Sequence, residues 1–218
     1  MIVAVVAENP DARVIKRAAS SLAGGGLVVV PTDTSWSAVC SITSKDGVAR
    51  LKKLLASGQS RELGGKDRPP TVMVGSLAQA SELCELASSA FRIMKRLTPG
   101  PYVFVLPSSN RAAKDFDLRR AELGVRIPNH RVPLDLMLEL GHPLLSVTVK
   151  RSMLDTELGE PEYPEEHLFN AGWELEDLPG VDLILDPGEE NERRLATVLD
   201  IRSGEVEVLR LGAGPYPD

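Results

Sequence analysis

Hydroxyls and cations at the ends of apolar runs are the residues here best suited to chemistry. The run Val28-Val29-Val30 breaks off at Pro31, and Thr32, Asp33, Thr34, Ser35 and Trp36 follow at once. Arg126 ends the run that opens at Gly124, and Ser146 and Thr148 alternate with apolar residues after Leu144. Thr197 and Arg210 stand in two later apolar runs, and Lys66 and Arg68 flank Asp67 in a stretch rich in glycine and proline. An arginine fork matches carboxylate or phosphate oxygens in pairs, and a lysine supplies a movable point charge. Hydroxyls add hydrogen bonds without added charge. Such a lining suits an anionic, phosphate-bearing ligand, with catalysis by positioning and charge stabilisation. Blander readings fit the same residues: an Asp-stabilised turn with solvated threonines, a surface loop at residues 66–69, and Trp36 as packing instead of a stacking platform.

The elements that must carry these residues are legible in part. A short apolar run rich in β-branched residues fits a strand buried on both faces, and proline ends it because it lacks a backbone donor. Ligands of open α/β sheets bind in the crevice beyond strand ends of this kind. Residues 11–22 read as a helix with Asp11 as N-cap, stopped by three glycines. A strand is expected over 37–42, and a helix capped by Ser44 places Val48, Leu51, Leu54 and Leu55 inward. Residues 56–70 read as a loop. A strand over 71–74 precedes a helical stretch over 76–97, two helices meeting near Ser88 and Ser89, with Phe91, Met94 and Leu97 as a core stripe. Strands follow over 102–106, 125–128 and 144–149, and a short helix over 133–140. Residues 111–120 carry four cations and no clear period. Alternating helices and apolar strands up to about residue 150 argue for an α/β fold. Strands over 181–185, 196–201 and 206–211 close the chain and could be antiparallel.

Composition narrows the classes. At 218 residues and 43% hydrophobic content the chain can bury a substantial core as one domain. No apolar run approaches the ~18–20 residues of a membrane span, and the apolar N-terminus lacks the cationic lead of a signal peptide. Two cysteines without CxxC spacing suit a reducing, cytoplasmic setting, and three histidines without ligand spacing predict no protein-bound metal. The net charge of −6 conceals a division: +8 up to Arg151 (21 Lys and Arg against 13 Asp and Glu) and −14 from Ser152 (4 against 18). A basic body with an acidic section over about 152–180 suggests one face that meets anions, or two parts that neutralise each other. Phosphate-binding and dinucleotide glycine motifs are absent, as is a nucleophile elbow, and no motif predicts DNA specificity.

The order of motifs resembles the YrdC-like domain family. The matching segments are VVVPTDTSWSAVC, LTPGPYVFVL, GVRIP, PLLSVTV, VDLILDPG, ATVLDI and VLRLGAG, in family order over nearly the whole chain. FRIMKRLTPGPYVFVL together with PLLSVTV looks most like the YciO branch. The resemblance implies a single domain over 1–218, a twisted mixed sheet with helices around a concave cationic surface. The family's enzymes combine L-threonine, bicarbonate and ATP into threonylcarbamoyl-AMP for tRNA modification, and members are associated with double-stranded RNA. Carried over by position, Thr32 and Arg126 would hold the threonine moiety, and Ser146 and Thr197 would line the pocket. Arg210 would lie near the nucleotide, and Mg²⁺ would accompany ATP. Two positions depart from the pattern. Lys66-Asp67-Arg68 stands about a dozen residues later than the family's Lys-x-Arg element, and Ser146-Val147-Thr148 replaces Ser-x-Asn. The function implied is thus a threonylcarbamoyladenylate synthase, a non-catalytic binding module for double-stranded RNA or tRNA, or a diverged adenylate hydrolase.

Overall fold

The structure is a computed structural model that describes residues 1–57, 70–116, 118, 121–154 and 164–216. Ten strands form one twisted open sheet in the order β1-β8-β2-β3-β7-β4-β6-β5-β9-β10. These are β1 (Ile2–Ala4), β2 (Val28–Val30), β3 (Ser37–Ser41), β4 (Thr71–Met73), β5 (Tyr102–Pro107), β6 (Glu122–Arg126), β7 (Leu144–Thr148), β8 (Leu183–Asp186), β9 (Thr197–Asp200) and β10 (Glu207–Arg210). The helices are α1 (Ala12–Ala23), α2 (Lys45–Ser57), α3 (Leu77–Leu83), α4 (Ser88–Leu97), α5 (Asn110–Phe116) and α6 (Arg131–Leu140).

Side-chain alternation divides the sheet between two cores. Val28 and Val30 face α1 and α6, packing with Ile15, Leu22, Val132 and Leu136. Leu27 and Val29 face the opposite layer, where Leu51 of α2, Leu83 of α3 and Met94 of α4 lie. Apolar residues on both sides of β2 therefore reflect burial on both faces. The caps act as their residue types dictate: Asp11 accepts from the Arg13 amide at 2.7 Å, and Ser44 from the Gly47 amide at 3.1 Å.

Three expectations need correction. The closing strands are not a simple antiparallel set: β8 runs parallel to β1 and β2, β9 runs parallel to β5, and β9 with β10 is antiparallel. Residues 110–116 form α5, although the local sequence has no helical period; packing against α3 supplies what the pattern lacks. Phe91 does not join Met94 in the core. It is 39% exposed while Met94 is fully buried, because Ala90 takes the inward position beside Met94.

Two devices fasten the chain after β7. Glu174 accepts from the Asn170 and Ala171 amides at 2.7 and 3.0 Å and pairs with Arg151, whose guanidinium lies 4.8 Å from the Phe169 ring centre. Burial alone would raise the Glu174 carboxyl, but these donors hold it below its ordinary value. Beyond β10 the chain doubles back over β9 and β5. Tyr102 donates to the Pro215 carbonyl at 2.8 Å, and a Cβ on Gly214 would stand 2.4 Å from the Tyr102 ring. Only glycine permits that approach.

Cys40 and Cys84 are buried, and burial pushes both thiols up to about 12. Because the folded value lies above the unfolded one, the stability this contributes is lost as pH rises from about 9 toward 12. At pH 8 both thiols are expected to resist iodoacetamide in the native protein and to react fully in denaturant, as mass spectrometry would read. Rapid native labelling of both would contradict the placement.

Candidate functional site

The turn between β2 and β3, an antiparallel pair, folds over the sheet face that carries Arg126. Val125 and Ile127 point into the opposite core, so alternation brings Arg126 to the side of Met73, its neighbour in register. There its Nη2 donates to Asp33 Oδ1 at 2.6 Å and to Thr34 Oγ1 at 3.0 Å. The side chains of Arg126 and Asp33 are 5% and 12% exposed, which makes this a buried ion pair. Burial pulls the guanidinium below its ordinary value, and Asp33 opposes that pull.

The hydroxyls of the turn form a directed chain. Thr32 donates its one proton to the Ser35 carbonyl at 2.6 Å, so the Thr34 hydroxyl is the donor across the 3.1 Å between the two threonines. Thr32 Oγ1 also accepts from the Thr34 and Ser35 amides at 3.2 and 3.3 Å. Thr32 therefore shapes the turn from within, and Thr34 transmits that shape to Arg126.

Three buried side-chain atoms among the described residues lack a hydrogen-bond partner: Asp33 Oδ2, Arg126 Nε and Asn191 Nδ2. Unsatisfied buried polar atoms are costly and call for an explanation. The first two belong to the ion pair of this turn, and the third to a segment that reaches the turn three residues later. Asn191 and Trp36 share one acceptor, the Asn170 carbonyl, at 2.7 Å from the Asn191 amide and 3.3 Å from Trp36 Nε1. Three residues on, the Arg194 amide donates to the Thr34 carbonyl at 3.2 Å.

The other expected residues lie at different distances from this centre. Ser146 and Thr148 share the Arg126 face of the sheet, since their neighbours Leu145 and Val147 point the other way. Ser146 donates to the Thr71 carbonyl at 3.0 Å, and Thr148 sits opposite Ser37 in register. Trp36 is 1% exposed, so it packs within the protein and offers no open stacking face. Thr197 is fully buried: it donates to the Gly214 carbonyl at 2.5 Å and accepts from the Gly212 amide at 2.9 Å. Arg210 donates to the Ala196 carbonyl at 2.8 and 3.0 Å. Thr197 thus fastens the C-terminal strap, and Arg210 ties the end of β10 to the residue before β9. Lys66 and Arg68 lie outside the described residues.

Sequence reasoning missed Asn191, Asn170 and His130. His130 Nδ1 accepts from the Val132 amide at 3.3 Å as the cap of α6, which leaves the proton on Nε2. Burial lowers its pKa, Asp33 and Glu8 oppose this, and Arg126 adds to it. Its place four residues past Arg126 and just before a helix was the available signal. Asn191 stands in a polar stretch between strands and offered none. Among the described residues no group of three His, Cys, Asp or Glu is arranged to hold a metal ion.

The comparisons with known proteins agree with this architecture. Residues 20–212 match the family model named for Sua5, YciO and YrdC and described as telomere recombination. The chain is 26% identical to the uncharacterized protein YciO of Escherichia coli K12, over 95% of this chain and 93% of that one. It is 27% identical to threonylcarbamoyl-AMP synthase of Rattus norvegicus, over 96% of this chain and 72% of that enzyme. The crystal structure of E. coli YciO superposes with a TM-score of 0.78 at 27% identity, covering 99% and 97% of the two chains. With the match running through every strand but the first, the chain belongs to the Sua5/YciO/YrdC family.

Proposed function

We propose that the turn and Arg126 bind an amino acid of the threonine type, and that the protein joins it to bicarbonate and ATP as a carbamoyl adenylate. One observation carries this reading. A buried orphan donor, Arg126 Nε, and a buried orphan acceptor, Asp33 Oδ2, belong to the two partners of a single ion pair. An α-amino acid brings the complementary set, a carboxylate for the guanidinium and an ammonium for the carboxylate. The relative called threonylcarbamoyl-AMP synthase supports threonine as the amino acid.

In this reading Asp33 Oδ2 receives a proton from the ammonium, and the freed amine attacks the carbon of bicarbonate. Water leaves and a carbamate forms. A carbamate oxygen then attacks the α-phosphorus of ATP, the bond to the β-phosphate oxygen breaks, and diphosphate departs. Mg²⁺ enters with ATP as part of the substrate, and Lys66 and Arg68 are the proposed cations for the phosphate oxygens.

Purified protein given ATP, L-threonine and bicarbonate is expected to release diphosphate. Arg126→Lys keeps the charge but loses the Nε donor and the fork, and should weaken L-threonine binding by about 10-fold to 100-fold, the worth of one or two charge-assisted hydrogen bonds. Lys66→Ala with Arg68→Ala should suppress diphosphate release while threonine binding by calorimetry persists. No release by the native protein, or an Arg126→Lys variant that binds threonine unchanged, would refute the reading.

A second function rests on a separate surface. The solvent face of α4 carries Phe91, Arg92, Lys95 and Arg96 with no carboxylate on the helix. At 3.6 residues per turn the four fall within about 140° of its circumference. Phe91 and Arg92 also line a cavity of about 690 Å³ with Ser81, Glu85, Ser88 and Ser109. Interleaved cations and an exposed aromatic suit an RNA segment. RNA affinity is expected to fall steeply between ~50 and ~200 mM salt and to drop when Arg92, Lys95 and Arg96 become glutamine. A flat salt response would sink it.

A further inference from the structure

We propose that Asn191 is the residue that reads the side-chain oxygen of the bound amino acid. This rests on the amino-acid reading of the Arg126 site and extends it to specificity. Asn191 Nδ2 is the third of the three buried polar atoms without a partner among the described residues. The other two account for the carboxylate and the ammonium of an amino acid and leave nothing for its side chain. Arg126 and the segment that holds Asn191 reach the same short turn from different parts of the chain. Arg126 binds Asp33 and Thr34, while the segment holding Asn191 binds the Thr34 carbonyl through Arg194 and meets Trp36 at the Asn170 carbonyl.

Chemistry limits what the orphan amide can serve. An N–H donor requires an acceptor, and a side-chain hydroxyl supplies lone pairs where a methyl group supplies none. The site would therefore distinguish threonine from valine, which has the same shape but carries a methyl in place of the hydroxyl. A site built around a buried donor rejects an analogue that leaves it unpaired, and far more sharply than an apolar pocket rejects an extra methylene.

The test is calorimetric titration of the full chain with L-threonine, L-serine and L-valine. The native protein is expected to prefer threonine to valine by at least about 10-fold, with serine bound on the threonine side of that gap. Asn191→Leu removes the donor at similar volume and should narrow the threonine-to-valine ratio to within about 3-fold, mainly by weakening threonine. A threonine-to-valine ratio unchanged in Asn191→Leu would overturn the role of Asn191 while leaving the amino-acid site intact. Failure of the native protein to bind any of the three would instead overturn the amino-acid reading. Matching melting curves keep a folding defect from imitating either result.

Discussion

The buried pair between Arg126 and Asp33 is the contact on which the architecture of the site depends. It joins the end of β6 to the turn after β2, strands that β3, β7 and β4 separate in the sheet. A buried ion pair gains little net stability, because desolvation offsets most of the attraction. Removing one partner costs about 3–5 kcal/mol, since a charge is then left buried alone. Such a pair therefore serves geometry better than stability. It fixes one position for the turn, and the hydroxyl chain Thr34 to Thr32 to the Ser35 carbonyl makes that position stiff.

Stiffness explains why orphaned atoms persist here. A soft turn would rotate until Asp33 Oδ2 and Arg126 Nε found partners. This one is held by Arg126, by the Arg194 amide at the Thr34 carbonyl, and by Trp36 at Asn170. The unmet hydrogen bonds are a store of binding capacity that a ligand of matching polarity can use. The elements after β7 share in this, since the Glu174 network positions Asn170 and so both Trp36 and Asn191.

Much of the fold was legible because its signals are local. The β2 run, the Asp11 and Ser44 caps and the break between α3 and α4 each depend on residues within one turn of chain. What was hidden depends on partners distant in sequence. The α5 helix forms against α3 without a period of its own, and β8 reaches the sheet as a parallel strand between β1 and β2. Phe91 has helical spacing with Met94 yet lies outward, since which side of a stripe is buried is decided by the layer it meets.

The site shows the same division. Thr32, Asp33, Thr34 and Arg126 could be proposed from residue type at strand ends, and the structure brings those four together. Thr197 and Arg210 have the same types, and their hydrogen bonds to the Gly214 and Ala196 carbonyls depend on a chain course that residue type alone does not reveal. The central claim, that the orphaned atoms of the Arg126 pair receive an amino acid, is tested most directly by the nitrogen-detected resonance of Arg126 Nε. Addition of L-threonine should shift that resonance downfield and slow its exchange with water, while threonine methyl ester, which lacks the carboxylate, should do neither. A resonance unmoved by saturating L-threonine would contradict the account.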